Sequence, residues 1–395
     1  MRHAGVEQSA RNRHARAPDA VAIVAGLVVG CFLTWNVSNV GAVADPLAEA
    51  YGTSLATIGL LTTALFVTQL ASQLPAGVWS DRFGPHRVAL GACGAAAVGN
   101  ALLLLEANVA LGLLGRLVVG AGSGAAFVTG LDLVRAGRGG PVVRGLYGAA
   151  TMAGGGLALV IVPPLTDATS WRAPYATGLA LAIAAAIPLF RVRTLRTVGR
   201  ASRGVLRDPD LLPLGVLQAA TFGLAVIAGN WVVPLLERRG AGSAVAGALG
   251  SLVLLAGILT RPLGGAVVHR WPGWRRRLVG LSLLAVAGGA LVLAVGGPLW
   301  LSALGALALG LAAGFPFAVI FETVQRLRPD APGAAVALVN GCAVLAILVG
   351  TPVAGLAFDL PGDGAAAFAA VGLLAVVALP FVARLPASPG PQRPS

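Results

Sequence analysis

The chain has 395 residues, of which 57% are hydrophobic and only 11% charged, with a mean hydropathy of +0.84. Soluble domains carry roughly 25% charged residues and disordered chains are poor in apolar ones, so neither class fits. The net charge of +13 comes entirely from arginine, placed in short clusters between apolar runs rather than along one face, and therefore reads as membrane topology rather than nucleic-acid binding.

A membrane-spanning helix needs about 20 mostly apolar residues. Twelve runs of that kind follow one another, at 20–42, 55–76, 88–106, 109–132, 145–166, 173–190, 210–234, 243–265, 278–297, 299–321, 335–357 and 364–384. They are continuous rather than alternating, which predicts an all-α membrane protein with twelve transmembrane helices and not a β-barrel. The first run ends in the small residues Ala42-Val43-Ala44, as a signal peptide would. Its length and the embedded Trp35, Asn36, Ser38 and Asn39 favour a retained helix. The longest internal break, 191–209, carries six arginines and divides the chain into a tail 1–19, a six-helix half 20–190, this basic linker, a second half 210–384 and a tail 385–395.

Alternate connections hold 23 arginines in one set and 3 in the other (Arg172, Arg238 and Arg239), while Arg116 and Arg261 lie within runs. Because cytoplasmic loops retain the arginines, this split predicts an even number of spans in the cell membrane with both termini cytoplasmic. Cys31, Cys93 and Cys342 lie inside apolar runs, and His3, His14, His86 and His269 lie outside them. No metal-ligand spacing is present, and a Walker lysine is impossible without lysine, so no metal, cofactor or direct ATP drive is expected.

The two halves repeat. Gly77-Val-Trp-Ser-Asp81-Arg82-Phe-Gly84-Pro-His-Arg87 follows the second run, and Gly265-Ala-Val-Val-His269-Arg270-Trp-Pro-Gly273-Trp-Arg275 follows the eighth, at an offset of 188 residues. Two equivalent halves with a site near the midline is the transporter arrangement. Gly77-x-x-x-Asp81-Arg82-x-Gly84-x-x-Arg87 resembles the loop motif of the major facilitator superfamily. Arg116 followed by Gly120, Gly122 and Gly124 is similar to that family's fourth-helix motif, and Trp171-Arg172-Ala-Pro-Tyr175 is a further likeness. The second loop copy departs from the pattern, with His269 where an aspartate is expected. The resemblance implies a monomeric secondary transporter whose halves alternate access to a central site. It casts Gly77, Asp81, Arg82, Gly84, Arg87, Gly265 and Arg270 as gating residues, with Asp132 the expected partner of Arg82 or Arg87.

All fifteen acidic residues fall in loops or near run ends, with only Asp132 and Glu322 approaching the interior. Charges within a span are costly and functional by default, and Arg116 and Arg261 are both cationic. A buried guanidinium stays protonated and favours an anion. Arg261-Pro262-Leu263-Gly264-Gly265 resembles the eighth-helix segment of the nitrate/nitrite porters, although Gln73 stands at the helix-two position where they carry a second arginine. Gln69 and Gln73 share a face at i,i+4. Asn36, Asn39, Asn230, Trp231, Phe315, Phe317 and Asn340 complete the expected lining for a small solute. The expected activity is therefore transport of a small anionic solute across the bilayer, with drug or metabolite efflux as the alternative. A multi-span membrane enzyme would need an interfacial acid, metal or nucleophile cluster that the sequence lacks.

Overall fold

A computed structural model describes residues 19–192 and 202–386; the tail residues 1–18 and 387–395 and linker residues 193–201 lie outside the described set. The chain forms α1 (Ala20–Ser38), α2 (Leu55–Phe83), α3 (Pro85–Leu105), α4 (Val109–Ala136), α5 (Pro141–Ala168) and α6 (Ala173–Leu189) in its first half. The second half contains α7 (Leu211–Arg238), α8 (Ser243–Arg270), α9 (Arg275–Val295), α10 (Leu299–Leu327), α11 (Pro332–Leu356) and α12 (Ala365–Val377). Among the described residues, eleven helical stretches are long and apolar enough to span a bilayer, and α6, at 17 residues, is a shorter apolar twelfth.

The apolar runs underestimate several helices. The second run ends at 76, yet α2 continues to Phe83, because the polar turn Trp79-Ser80-Asp81-Arg82 keeps its backbone bonds by leaving the apolar layer rather than by unwinding. Gly84 closes α2 at φ +92°, and Pro85 opens α3 at its first helical position. The tenth run is interrupted at Phe315, since Pro316 has no N–H to continue the ladder. Residues Ala219–Gly223 of α7 form a π-turn.

The packing repeats across the halves. In the first half α4 lies against α1, α2 and α3, α1 against α5, and α3 against α6; in the second, α10 lies against α8 and α9, α7 against α11, and α9 against α12. The halves meet through α5 on α8 and α2 on α11, two contacts that exchange under the same two-fold relation. The arginine-rich connections α2–α3, α4–α5, α8–α9 and α10–α11 all lie at one end, here called the loop end.

Candidate solute site and loop-end gate

At the loop end the halves touch backbone to backbone. A Cβ on Gly77 would stand 2.5 Å from the carbonyl oxygen of Gly333, and one on Gly145 would overlap the Arg261 carbonyl. Gly265 lies equally close to the Pro141 carbonyl. Glycine at these positions lets α2 meet α11, and α5 meet α8, at distances no side chain allows. Asp81 then reaches across: its carboxylate accepts the N–H of Gly333 at 2.8 Å and of Ala334 at 3.0 Å. The first turn of α11 has no cap of its own, and a carboxylate from the other half satisfies its orphan donors and faces the positive end of its dipole.

Asp132 does not pair with Arg82 or Arg87, as the sequence suggested; those two side chains are exposed. It accepts Ser80 Oγ at 2.8 Å, Arg135 Nε at 3.4 Å and, across the interface, Gln325 Nε2 at 3.5 Å. Pairing within α4 and with α2 is favoured because Asp132 is 1% exposed and its arginine neighbour Arg135 lies one turn away. Arg144 of α5 donates to Gln325 Oε1 at 3.1 Å and lies 3.8 Å from Glu322 Oε1. Glu322, itself 1% exposed, also holds Arg275 and Arg326. A carboxylate so buried is tolerable only with this surplus of guanidinium donors. Gln325, Arg144 and Ser80 were not singled out from sequence, since a polar residue at a helix end is unremarkable until its partner on the other half is known. Arg270 is exposed, and Gly84 forms the α2–α3 turn.

One to two turns further in, each interface carries a polar bridge. Arg261 of α8 is 2% exposed and donates Nη1 to the Gly148 carbonyl and to Thr151 Oγ1 of α5, both at 2.8 Å. Its guanidinium lies 4.5 Å from the centre of the Phe317 ring and 5.1 Å from that of Phe222, so aromatic faces rather than carboxylates surround the charge. At the position related by the 188-residue repeat, Gln73 of α2 accepts Asn340 Nδ2 of α11 at 2.9 Å. Gln73 Nε2 and Gln69 Oε1, one turn apart, are buried without a hydrogen-bond partner. Among the described residues no hydrogen bond joins the halves beyond this level toward the opposite end. Phe222, Gly148 and Thr151 escaped sequence reasoning because nothing in an apolar run marks which residue will meet an arginine of the other half.

The remaining expected lining residues divide between the halves. Arg116, 0% exposed, donates to the Asn36 carbonyl at 2.9 Å, Asn39 Oδ1 at 3.4 Å and the Leu61 carbonyl at 3.4 Å. Asn39 in turn donates to the Pro174 carbonyl at 2.7 Å, and Asn100 donates to Asn36 Oδ1 at 2.8 Å. The structure gathers Arg116, Asn36 and Asn39 inside the first half and does not bring them to Arg261. Asn230 and Trp231 donate to the hydroxyl and carbonyl of Thr351 within the second half, and Trp231 also faces Phe358 at 4.7 Å. The Phe315 carbonyl lies against Gly264 at the break in α10, so Phe317 rather than Phe315 meets the guanidinium. Among the described residues no group of three His, Cys, Asp or Glu side chains could hold a metal ion.

The family model of the Major Facilitator Superfamily matches residues 25–351. No curated protein matches the chain in sequence. Among solved structures, the human organic anion transporter TETRAN superimposes with a TM-score of 0.74 at 18% identity, covering 93% of this chain and 100% of that one. FucP, the E. coli fucose:proton symporter, in its outward conformation gives 0.73 at 17%, covering 91% and 97%. The proton:xylose symporter XylE gives 0.75 at 13%, covering 91% and 94%. These identities speak for the fold, and the family match extends over most of the sequence. The chain belongs to the Major Facilitator Superfamily.

Proposed function

We propose that the protein is a secondary transporter that moves a small anionic solute across the cell membrane, with the solute bound between the halves at Arg261, Gln69, Gln73 and Asn340. The observation that carries this reading is Arg261: a buried cation on the contact between halves, held by a carbonyl, a hydroxyl and two aromatic rings, with no carboxylate within salt-bridge reach among the described residues. Such a charge is poorly compensated, and an anion reaching it compensates it with charge-assisted hydrogen bonds. The likeness to an organic anion transporter agrees with this chemistry. The arginine-rich loop end is taken as cytoplasmic on the distribution of positive charge, so the described state is closed on the cytoplasmic side.

In this reading transport proceeds by exchanging the contacts at the two ends. Opening the loop end requires α11 to lose its Asp81 cap, Gln325 to leave Asp132, and Arg261 to leave Gly148 and Thr151. A bound anion replaces the last of these, lowering the cost of separation. Arg116, Asn36 and Asn39 brace the first half, and Asn230 and Trp231 brace the second. The likeness to nitrate porters is confined to the Arg261–Gly265 segment.

The test is flux into proteoliposomes containing the purified full chain, assayed with labelled nitrate, phosphate, short-chain carboxylates, xylose and a cationic dye. Accumulation of an anion that Arg261→Gln lowers at least tenfold supports the proposal. Flux of xylose or the dye alone, or anion flux unchanged by the substitution, overturns it.

A further inference from the structure

We infer that the α8–α9 connection is a docking site for the headgroup of an anionic phospholipid. The segment His269-Arg270-Trp271-Pro272-Gly273-Trp274-Arg275-Arg276-Arg277 contains four arginines and no acid. All nine residues are exposed except Arg275. The helices it joins each span the bilayer, and the connection between them is a single short turn, Pro272–Trp274, which geometry holds at the level of the headgroups. Trp271 and Trp274 are 53% and 45% exposed, their rings 6.2 Å apart, and the Arg277 guanidinium lies 5.8 Å from the Trp274 ring.

Each part suits one end of a lipid. Indole rings settle at the boundary between headgroup and acyl chain, where they have both an apolar body and a donor. Clustered guanidiniums beside them attract phosphate, each contributing about 1 kcal/mol near an anionic surface. The related loop in the first half is built differently. It exposes Trp79 and Phe83, with Arg82 lying 5.1 Å from the Phe83 ring, but it also carries Asp81 and commits it to α11. Only the second copy combines exposed arginines free of a carboxylate partner, Arg270, Arg276 and Arg277 among the described residues, with paired tryptophans; Arg276 also donates to the Leu385 carbonyl at 2.6 Å. The docked headgroup also sits beside the gate: Arg275, the one buried residue of the segment, binds Glu322 and Thr323, and Glu322 faces Arg144 of the other half.

Native mass spectrometry of the full chain, released from nanodiscs of phosphatidylcholine mixed with phosphatidylglycerol, tests this. The wild type is expected to retain phosphatidylglycerol over phosphatidylcholine. The double variant R270Q/R277Q is expected to retain it about thirtyfold less, since two surface arginines are lost. The control R191Q/R207Q removes the same charge from the linker and should leave retention unchanged. Equal loss in both doubles would reduce the effect to bulk charge and overturn the site, as would equal retention of both lipids or no loss in R270Q/R277Q. Should R270Q/R277Q fail to fold, Trp271→Ala with Trp274→Ala takes its place, with the same loss expected; undiminished retention there is equally contrary.

Discussion

At the scale of single residues, two buried arginines of the same apparent kind have different surroundings. Arg116 is enclosed by carbonyl and amide oxygens of its own half. Arg116→Leu is expected to destabilise the protein by about 3 kcal/mol, because buried acceptors are left unmade, each costing roughly 1–3 kcal/mol. Its melting temperature should fall while the change in melting on adding a bound anion stays the same; a normal melting temperature with loss of anion response would move Arg116 into the site. Thr151 is the opposite case. Its hydroxyl receives Arg261 from the other half, and Thr151→Val keeps its shape while removing that acceptor. The variant should bind anion at least as well as the wild type in equilibrium dialysis, since the guanidinium loses a competing partner. Weaker binding would mean that Thr151 holds the solute rather than the arginine.

At the scale of elements, the helices are legible in sequence and their contacts are not. Twelve apolar runs and a 188-residue repeat carry the architecture, because continuous apolar runs of this length leave the backbone in a bilayer no alternative to helices. Hydropathy stops short at 76 where α2 runs to Phe83, since the last turns work at the polar boundary. Gly77 and Asp81 are marked by the motif and Asp132 by its place at the inner end of the fourth run, yet the partners Gly333, Ser80 and Gln325 belong to segments 50 to more than 250 residues away. Arg116 and Arg261 look equivalent by composition; only the packing separates a brace from a bridge. The same contacts make a prediction about the gate. Gly77→Ala places a methyl against the backbone of α11, and overpacking of this sort costs about 1–3 kcal/mol. Spin labels at positions 87 and 277 should then move apart relative to the parent, and labels at 55 and 242 should approach. Unchanged distances would show that α2 and α11 can yield without opening the loop end.

A second element-level prediction concerns the corner between α10 and α11. Arg328 chelates Asp330 through two hydrogen bonds, at 3.1 and 3.0 Å, and reaches Asp208 of the linker at 2.8 Å. That guanidinium holds the Asp330 carboxyl below its ordinary value. A carboxyl lowered on folding stabilises the folded state above the unfolded value, near pH 4, and loses that contribution as pH falls through the lower folded value. Asp330→Asn should therefore flatten the decline in melting temperature on the acid side of about pH 4. An acid limb identical to that of the parent would show that this pair contributes nothing across that range.

At the scale of the whole molecule, two pseudo-equivalent halves share a closed end and carry one unmatched buried cation at their junction. The loop end is held by an acid that caps a helix of the other half, by an amide and guanidinium ladder, and by glycines that allow backbones to touch. The bridge above it is asymmetric: arginine on α8 and glutamine on α2, at positions the repeat makes equivalent. The unsatisfied amide atoms of Gln69 and Gln73 lie at the related position on the other contact between the halves. The measurement that bears most directly on this account is the melting temperature of the purified wild type and Arg261→Gln across a panel of inorganic anions, organic acids, sugars and cationic drugs. Binding to the folded state raises melting in proportion to affinity, and loss of one charge-assisted partner weakens binding about tenfold to a hundredfold. An anion is expected to raise the wild-type melting temperature and to leave Arg261→Gln unmoved at the same concentration. A panel in which only sugars or cations stabilise the wild type, or in which an anion stabilises both proteins equally, would contradict it.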